Sequence, residues 1–116
     1  MQVMNESNAA AVSVDLEVMK KHAGSAARLL KGLANENRLL VLCNLASGEL
    51  SVGELNERVD LSQSALSQHL AVLREQQLVK TRRESQTIYY SLADSPALDI
   101  IQRLNDAYGP PELMLS

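Results

Sequence analysis

Between Ser62 and Gln76 lies a run of side chains able to read a base edge without carrying charge. Gln63, Ser64, Ser67, Gln68 and Ala71 stand at helical spacing opposite the apolar set Leu66, Leu70 and Leu73. A helix face made only for solvation usually carries Glu and Lys instead. A glutamine amide can bond adenine through two hydrogen bonds. A serine hydroxyl reaches several base edges or a phosphate, and an alanine methyl can touch the methyl of thymine. Ser62, heading the run, also leaves backbone N–H groups at a helix start, where a phosphate is favoured. The competing reading of the same residues is a neutral, solvated face. His69 sits beside the Leu66/Leu70 stripe and reads as a packing or phosphate-contacting residue.

The charged residues point the same way. Arg58, Arg74, Lys80, Arg82 and Arg83 fall against only Asp60 and Glu75 between residues 58 and 83, five charges minus two, or +3. The 116-residue chain carries −3 as a whole, so the remainder holds −6. A locally basic segment in an acidic chain creates its own field, whatever the net charge. Arg74, Lys80, Arg82 and Arg83 are therefore candidate phosphate contacts. The last three could also lie beside a minor groove. Their alternative is a solvated basic strand.

Other chemistries find little support. One cysteine, Cys43, excludes an internal disulfide framework and fits a reducing cytoplasm. Cys43, His22 and His69 are too few for a transition-metal site built from N and S ligands. There is no candidate catalytic triad, nucleotide-binding loop or cofactor motif. Residues 1–13 lack the basic start and apolar run of a signal peptide, and no apolar stretch is long enough to span a membrane. Cys43 shares a helical face with Leu39, Leu42 and Ala46. That face is expected to be buried, where a free thiol behaves as a small hydrophobe. An exposed Cys43 would instead be open to redox chemistry at a single thiol.

The elements that must position these residues follow from spacing and caps. Residues 1–13 read as a flexible arm, 14–109 as one domain and 110–116 as a tail. With no Trp or Phe and three Tyr, the core must be aliphatic. Leu16, Met19, Ala23, Ala26, Leu30 and Leu33 step by threes and fours, which predicts a first helix. Asn35 is placed to cap a second, with Gly48 as its stop. Ser51 and Glu54 have capping-box spacing, flanked by Leu50 and Leu55 at staple positions, so a third helix should start at Val52 and end near Val59. Asp60-Leu61-Ser62 is a tight turn, and Ser62 caps a fourth helix reaching about Gln76. Residues 79–83 and 87–92 alternate as a β-hairpin separated by Glu84-Ser85-Gln86. Pro96 opens a last helix carrying Leu98, Ile101, Leu104 and Tyr108, and Gly109 ends it. Two short helices, a three-residue turn and a hairpin make a mainly α fold with a small β-hairpin, a winged helix-turn-helix, whose second short helix enters the major groove. A domain this small has little room to bury the apolar stripes of its first and last helices, so these predict a homodimer. A winged-helix module used only for protein–protein contact is the alternative of a different class.

The segments Glu49-Leu50-Ser51-Val52-Gly53-Glu54-Leu55 and Leu61-Ser62-Gln63-Ser64-Ala65-Leu66-Ser67-Gln68-His69-Leu70 resemble the ArsR/SmtB family of bacterial repressors. Arg82-Arg83-Glu84 and Ile88-Tyr89-Tyr90-Ser91-Leu92 are similar to that family's wing, and the resemblance runs from about Leu16 to Tyr108. It implies a homodimer joined by the first and last helices, bound to double-stranded operator DNA until a signal releases it. The family's metal sensors carry two Cys where this chain has Ser51 and Gly53. Their last-helix metal site uses Asp and His, whereas here Asp99 is followed two positions on by Ile101 and no His lies beyond His69. The chain is most similar to the subgroup of haemolysin-activating and biofilm-growth regulators. These carry one Cys on the second helix, matched by Cys43, and one at the end of the last, where this chain has Gly109. A dithiol switch is thereby excluded. The sequence names no inducer and no operator, nor whether the protein represses or relieves another repressor.

Overall fold

A computed structural model describes residues 11–109. The elements run α1 (Leu16–Leu33), α2 (Glu36–Leu45), β1 (Leu50–Ser51), α3 (Val52–Arg58), α4 (Gln63–Glu75), β2 (Val79–Glu84), β3 (Thr87–Leu92) and α5 (Ala97–Tyr108). Residues 1–10 of the expected arm and the tail at 110–116 lie outside the described residues. Residues 11–13 of the arm have no regular secondary structure.

Each helix begins where the side chains supply a cap. The Asp15 carboxylate accepts hydrogen bonds from the N–H groups of Glu17 and Val18 at the head of α1. Asn35 does the same for Arg38 N–H on α2, and Ser62 for Ala65 N–H on α4. At α3 the capping box is complete: Ser51 Oγ accepts from Glu54 N–H, and Glu54 Oε1 accepts from Ser51 N–H at 2.8 Å. Such bonds satisfy donors that a helix start leaves orphaned. Arg38 also works in the other direction. Its guanidinium donates to the carbonyls of Lys31 and Gly32, closing the C-terminal end of α1. One residue thus ties the end of α1 to the start of α2. At Pro96 no side chain of its own caps α5; Ser95 Oγ accepts from Ala97 N–H instead.

The sheet has one strand more than expected. Leu50–Ser51 pairs antiparallel with β3, opposite Tyr90 and Tyr89, and the order is β1-β3-β2. The hairpin turn is shorter than the sequence suggests. Glu84 pairs with Thr87, which leaves only Ser85 and Gln86 to reverse the chain, with Ser85 in the left-handed region at φ 58°. Small polar residues tolerate that conformation better than branched ones.

The core is aliphatic apart from Tyr90. Leu42, Leu55, Leu66, Leu73 and Leu78 are fully buried, joined by Val41, Leu45, Leu70 and Ile101. Burying each leucine contributes about 1.5–3 kcal/mol relative to leaving it in water. The apolar stripe of α1 lies largely outside this core. Leu33 is buried and Leu29 packs at the margin, but Leu16 is 71% and Leu30 55% exposed. On α5, Ile101 reaches the core while Leu98 and Leu104 stay exposed.

Gly32 is where α1 meets the end of α4. A Cβ there would stand 2.5 Å from Leu78 Cδ1, and Leu78 is only 1% exposed. The helix can approach this closely because residue 32 has no side chain. Gly32→Ala should therefore destabilise the protein by about 1–3 kcal/mol through overpacking. The gain of roughly 1 kcal/mol usual for Ala over Gly inside a helix would be overridden. Urea unfolding monitored by circular dichroism measures this, and a raised midpoint would contradict it.

Candidate nucleic-acid interface

Helix α3, the Val59–Ser62 turn and helix α4 form the helix-turn-helix. The turn is held by Asn56, whose side-chain amide donates to the Leu61 carbonyl at 3.1 Å. Sequence reasoning missed this role, because nothing local distinguishes Asn56 from a solvated helix residue. Leu66, Leu70 and Leu73 anchor α4 in the core. Gln63, Ser64, Ser67, Gln68, Ala71 and Arg74 are all exposed. At 100° per residue they fall within an arc of roughly 140°. His69 is half-buried at the edge of the leucine stripe. Ser62 stands apart from this set, since its hydroxyl oxygen already accepts from Ala65 N–H. A groove of about 470 Å³ is lined by Ser51, Val52 and Gly53 at the start of α3, by Gln63 at the start of α4 and by Gln86 and Thr87 at the wing tip.

The wing divides its basic residues between two faces. Residues directly opposite in an antiparallel pair share a face. Arg83 stands opposite Ile88, next to the Thr81–Tyr90 pair and on the side where Tyr90 and Leu50 turn to the core. Lys80 and Arg82 stand on the other side, with Ser91 and Tyr89 opposite. Arg82 is engaged. Its Nε and Nη2 donate to the two carboxylate oxygens of Glu49 at 3.0 and 2.8 Å, and its Nη1 to Glu84 Oε1 at 3.0 Å. The guanidinium carbon lies 4.5 Å from the centre of the Tyr89 ring. The hydrogen bond from Arg82 holds the Glu49 carboxyl below the usual carboxylate range, and the two carboxylates push the Arg82 guanidinium further up. Arg83 and Lys80 are exposed and appear in no ion pair among the described residues. Sequence spacing does not separate Arg82 from Arg83; strand alternation and the distant Glu49 do.

Cys43 departs from expectation. The buried side of α2 is Val41, Leu42 and Leu45, with Leu39 half-buried, while Cys43 and Ala46 are exposed. Cys43 stands one position past Leu42, on the flank of the helix that faces α5. There it borders a small groove of about 160 Å³ with Leu39, Ile101 and Leu104. The thiol is accessible, yet partial burial pushes its pKa above the ordinary value. Among the described residues no three His, Cys, Asp or Glu side chains converge as metal ligands.

A helix-turn-helix followed at once by a β-hairpin wing, here joined by the short strand β1, defines a winged helix-turn-helix protein. Residues 35–81 match the bacterial regulatory protein, arsR family. The chain is 50% identical over 95 residues to the transcriptional activator HlyU of Vibrio cholerae, covering 82% of this chain and 88% of the relative. The solved HlyU structure superposes with a TM-score of 0.75 at 51% identity, over 79% of this chain and all of that one. A biofilm growth-associated repressor of Agrobacterium fabrum is 46% identical over 99 residues, 85% of either chain. A homodimeric winged helix-turn-helix DNA-binding domain from Mycobacterium bovis superposes with a TM-score of 0.68 at 28% identity, covering 84% of this chain and 88% of that one. The chain belongs to the arsR family of bacterial regulatory proteins and is a DNA-binding transcriptional regulator.

The thiol's chemistry gives a direct test. A raised pKa means less thiolate at any given pH, and the thiolate is the nucleophile. At pH 7.5 Cys43 in the folded protein should be alkylated by iodoacetamide more slowly than a free cysteine peptide. Its rate should still be climbing at pH values where the peptide's has levelled. Alkylation faster than the peptide at pH 7.5 would show a lowered pKa instead.

Proposed function

We propose that the chain acts as a cytoplasmic homodimer that binds an inverted-repeat operator in double-stranded DNA. In this reading α4 reads bases through Gln63, Ser64, Ser67, Gln68 and Ala71. The start of α4 at Ser62, together with His69, Arg74, Lys80 and Arg83, contacts the backbone. The observation that carries it is the exposed face of α4, made of neutral hydrogen-bonding side chains, in a protein whose wing carries Lys80 and Arg83 outside any ion pair among the described residues. Base contacts specify and phosphate contacts position, so a neutral reading face between basic edges is the arrangement that sequence-specific binding requires.

The dimer is supported by what a single chain leaves exposed. Leu16, Met19 and Leu30 on α1, with Leu98, Leu104 and Tyr108 on α5, present large apolar side chains to water. Exposed apolar side chains grouped on two helices in this way favour a contact with another protein surface. The homodimeric domain from M. bovis shares the fold. Two-fold symmetry in the protein calls for two-fold symmetry in the operator. Among the described residues no helix is long and apolar enough to cross a membrane. Relatives include both an activator and a repressor, so the shared fold does not by itself fix the direction of control.

Gln68→Ala and Ser67→Ala should each weaken binding to a duplex selected by the wild-type protein from a random pool by about 1–3 kcal/mol. Binding to a random duplex should change far less. Fluorescence anisotropy on both duplexes measures this, and equal losses would remove these residues from base reading. Sedimentation at micromolar concentration should give a dimer, and a monomer there would refute the proposed interface.

A further inference from the structure

Arg82 lies in the basic segment that faces DNA in the reading above, yet its charge is directed elsewhere. The central strand β3 separates β2 from β1. From β2, the Arg82 side chain crosses Tyr89 on β3 and meets Glu49, the residue just before β1, through two parallel hydrogen bonds. Glu84, two positions along β2, takes a third. Three of the five guanidinium N–H groups are thereby committed, and two carboxylates more than neutralise the charge. β1 leads without a gap into α3, because Ser51 is both its last residue and the cap of that helix.

We propose that Arg82 is a positioning residue, a strap that fixes the angle of the wing relative to the helix-turn-helix, and that Arg83 and Lys80 supply the wing's phosphate contacts. The proposal rests on the DNA-binding reading and assigns a different role to one residue within it. A paired, planar guanidinium suits this role in a way a lysine ammonium does not, since the fork geometry matches both oxygens of one carboxylate. The pair is half-exposed, so its strength is modest. Its effect lies in geometry: a wing that swings freely no longer presents its phosphate contacts in register with the bases read by α4.

The strap and a direct phosphate contact predict opposite signs for Glu49→Gln. Under the strap, Glu49→Gln and Arg82→Lys each weaken binding to the wild-type-selected duplex by roughly two- to five-fold. Binding to a random duplex is preserved, and so is the slope of log affinity against log salt. Combining the two substitutions costs no more than either alone, because they break one interaction. Arg83→Ala lowers the salt slope by about one on both duplexes. The proposal is overturned if Glu49→Gln tightens binding, as release of Arg82 onto a phosphate would. It is also overturned if Arg82→Lys matches wild type while Arg82→Gln flattens the salt slope. Amide hydrogen exchange in the DNA-free protein gives an independent readout. Faster exchange across the β2–β3 pair in Glu49→Gln supports the strap, and unchanged exchange refutes it. Failure of the DNA-binding reading itself would show separately, as a wild-type protein that selects no duplex.

Discussion

Ser51 ends a strand and caps a helix at the same time, and the geometry of the binding surface depends on that double use. Its place opposite Tyr89 joins it to the wing, while its hydroxyl and N–H complete the capping box with Glu54. No residue separates β1 from α3, so the sheet and the helix-turn-helix meet at Ser51. Asn56 then carries the constraint onward by holding the turn at Leu61, and α4 follows after Ser62. These hydrogen bonds link the sheet, α3 and the turn, while Leu66, Leu70 and Leu73 hold α4 in the core.

Much of this architecture can be read along the chain because it is encoded locally. The caps at Asn35, Ser51 and Ser62, the leucine spacing of α4 and the alternation of the hairpin all involve residues within a few positions of one another. The parts that escaped depend on distance in sequence. β1 is two residues long, too short for any period to register, and its partners lie nearly forty positions away. Glu49 and Arg82 are separated by 33 positions. Cys43 escapes because Leu39, Leu40, Val41, Leu42, Cys43 and Leu45 spread around α2, so spacing alone does not show that Val41, Leu42 and Leu45 make its buried side. The division between Arg82 and Arg83 required both the register of β2 against β3 and the position of Glu49.

A net acidic chain that binds DNA must limit its electrostatic attraction to a small area. Phosphate contacts give affinity without sequence preference, and each adds to binding on any DNA. Pairing Arg82 with two carboxylates removes one such contribution from the wing. The neutral face of α4 adds none. In the proposed binding mode, such an arrangement would favour hydrogen bonds to bases over bulk charge, and so the ratio of specific to non-specific binding rather than total affinity.

The close approach at Gly32 has a mechanical meaning. It brings the α1 backbone at residue 32 directly against the Leu78 side chain, just beyond the end of α4. Helix α4 extends from there over 13 residues, roughly 20 Å at 1.5 Å per residue. Its far end carries Gln63 and Ser64. A tilt of about 5° at the Gly32–Leu78 contact displaces that far end by about 2 Å, enough to break a hydrogen bond to a base edge. The molecule is in this sense a lever whose fulcrum is a glycine backbone resting on the Leu78 side chain. In the proposed binding mode, a small change in how α1 is seated would be felt at the far end of α4.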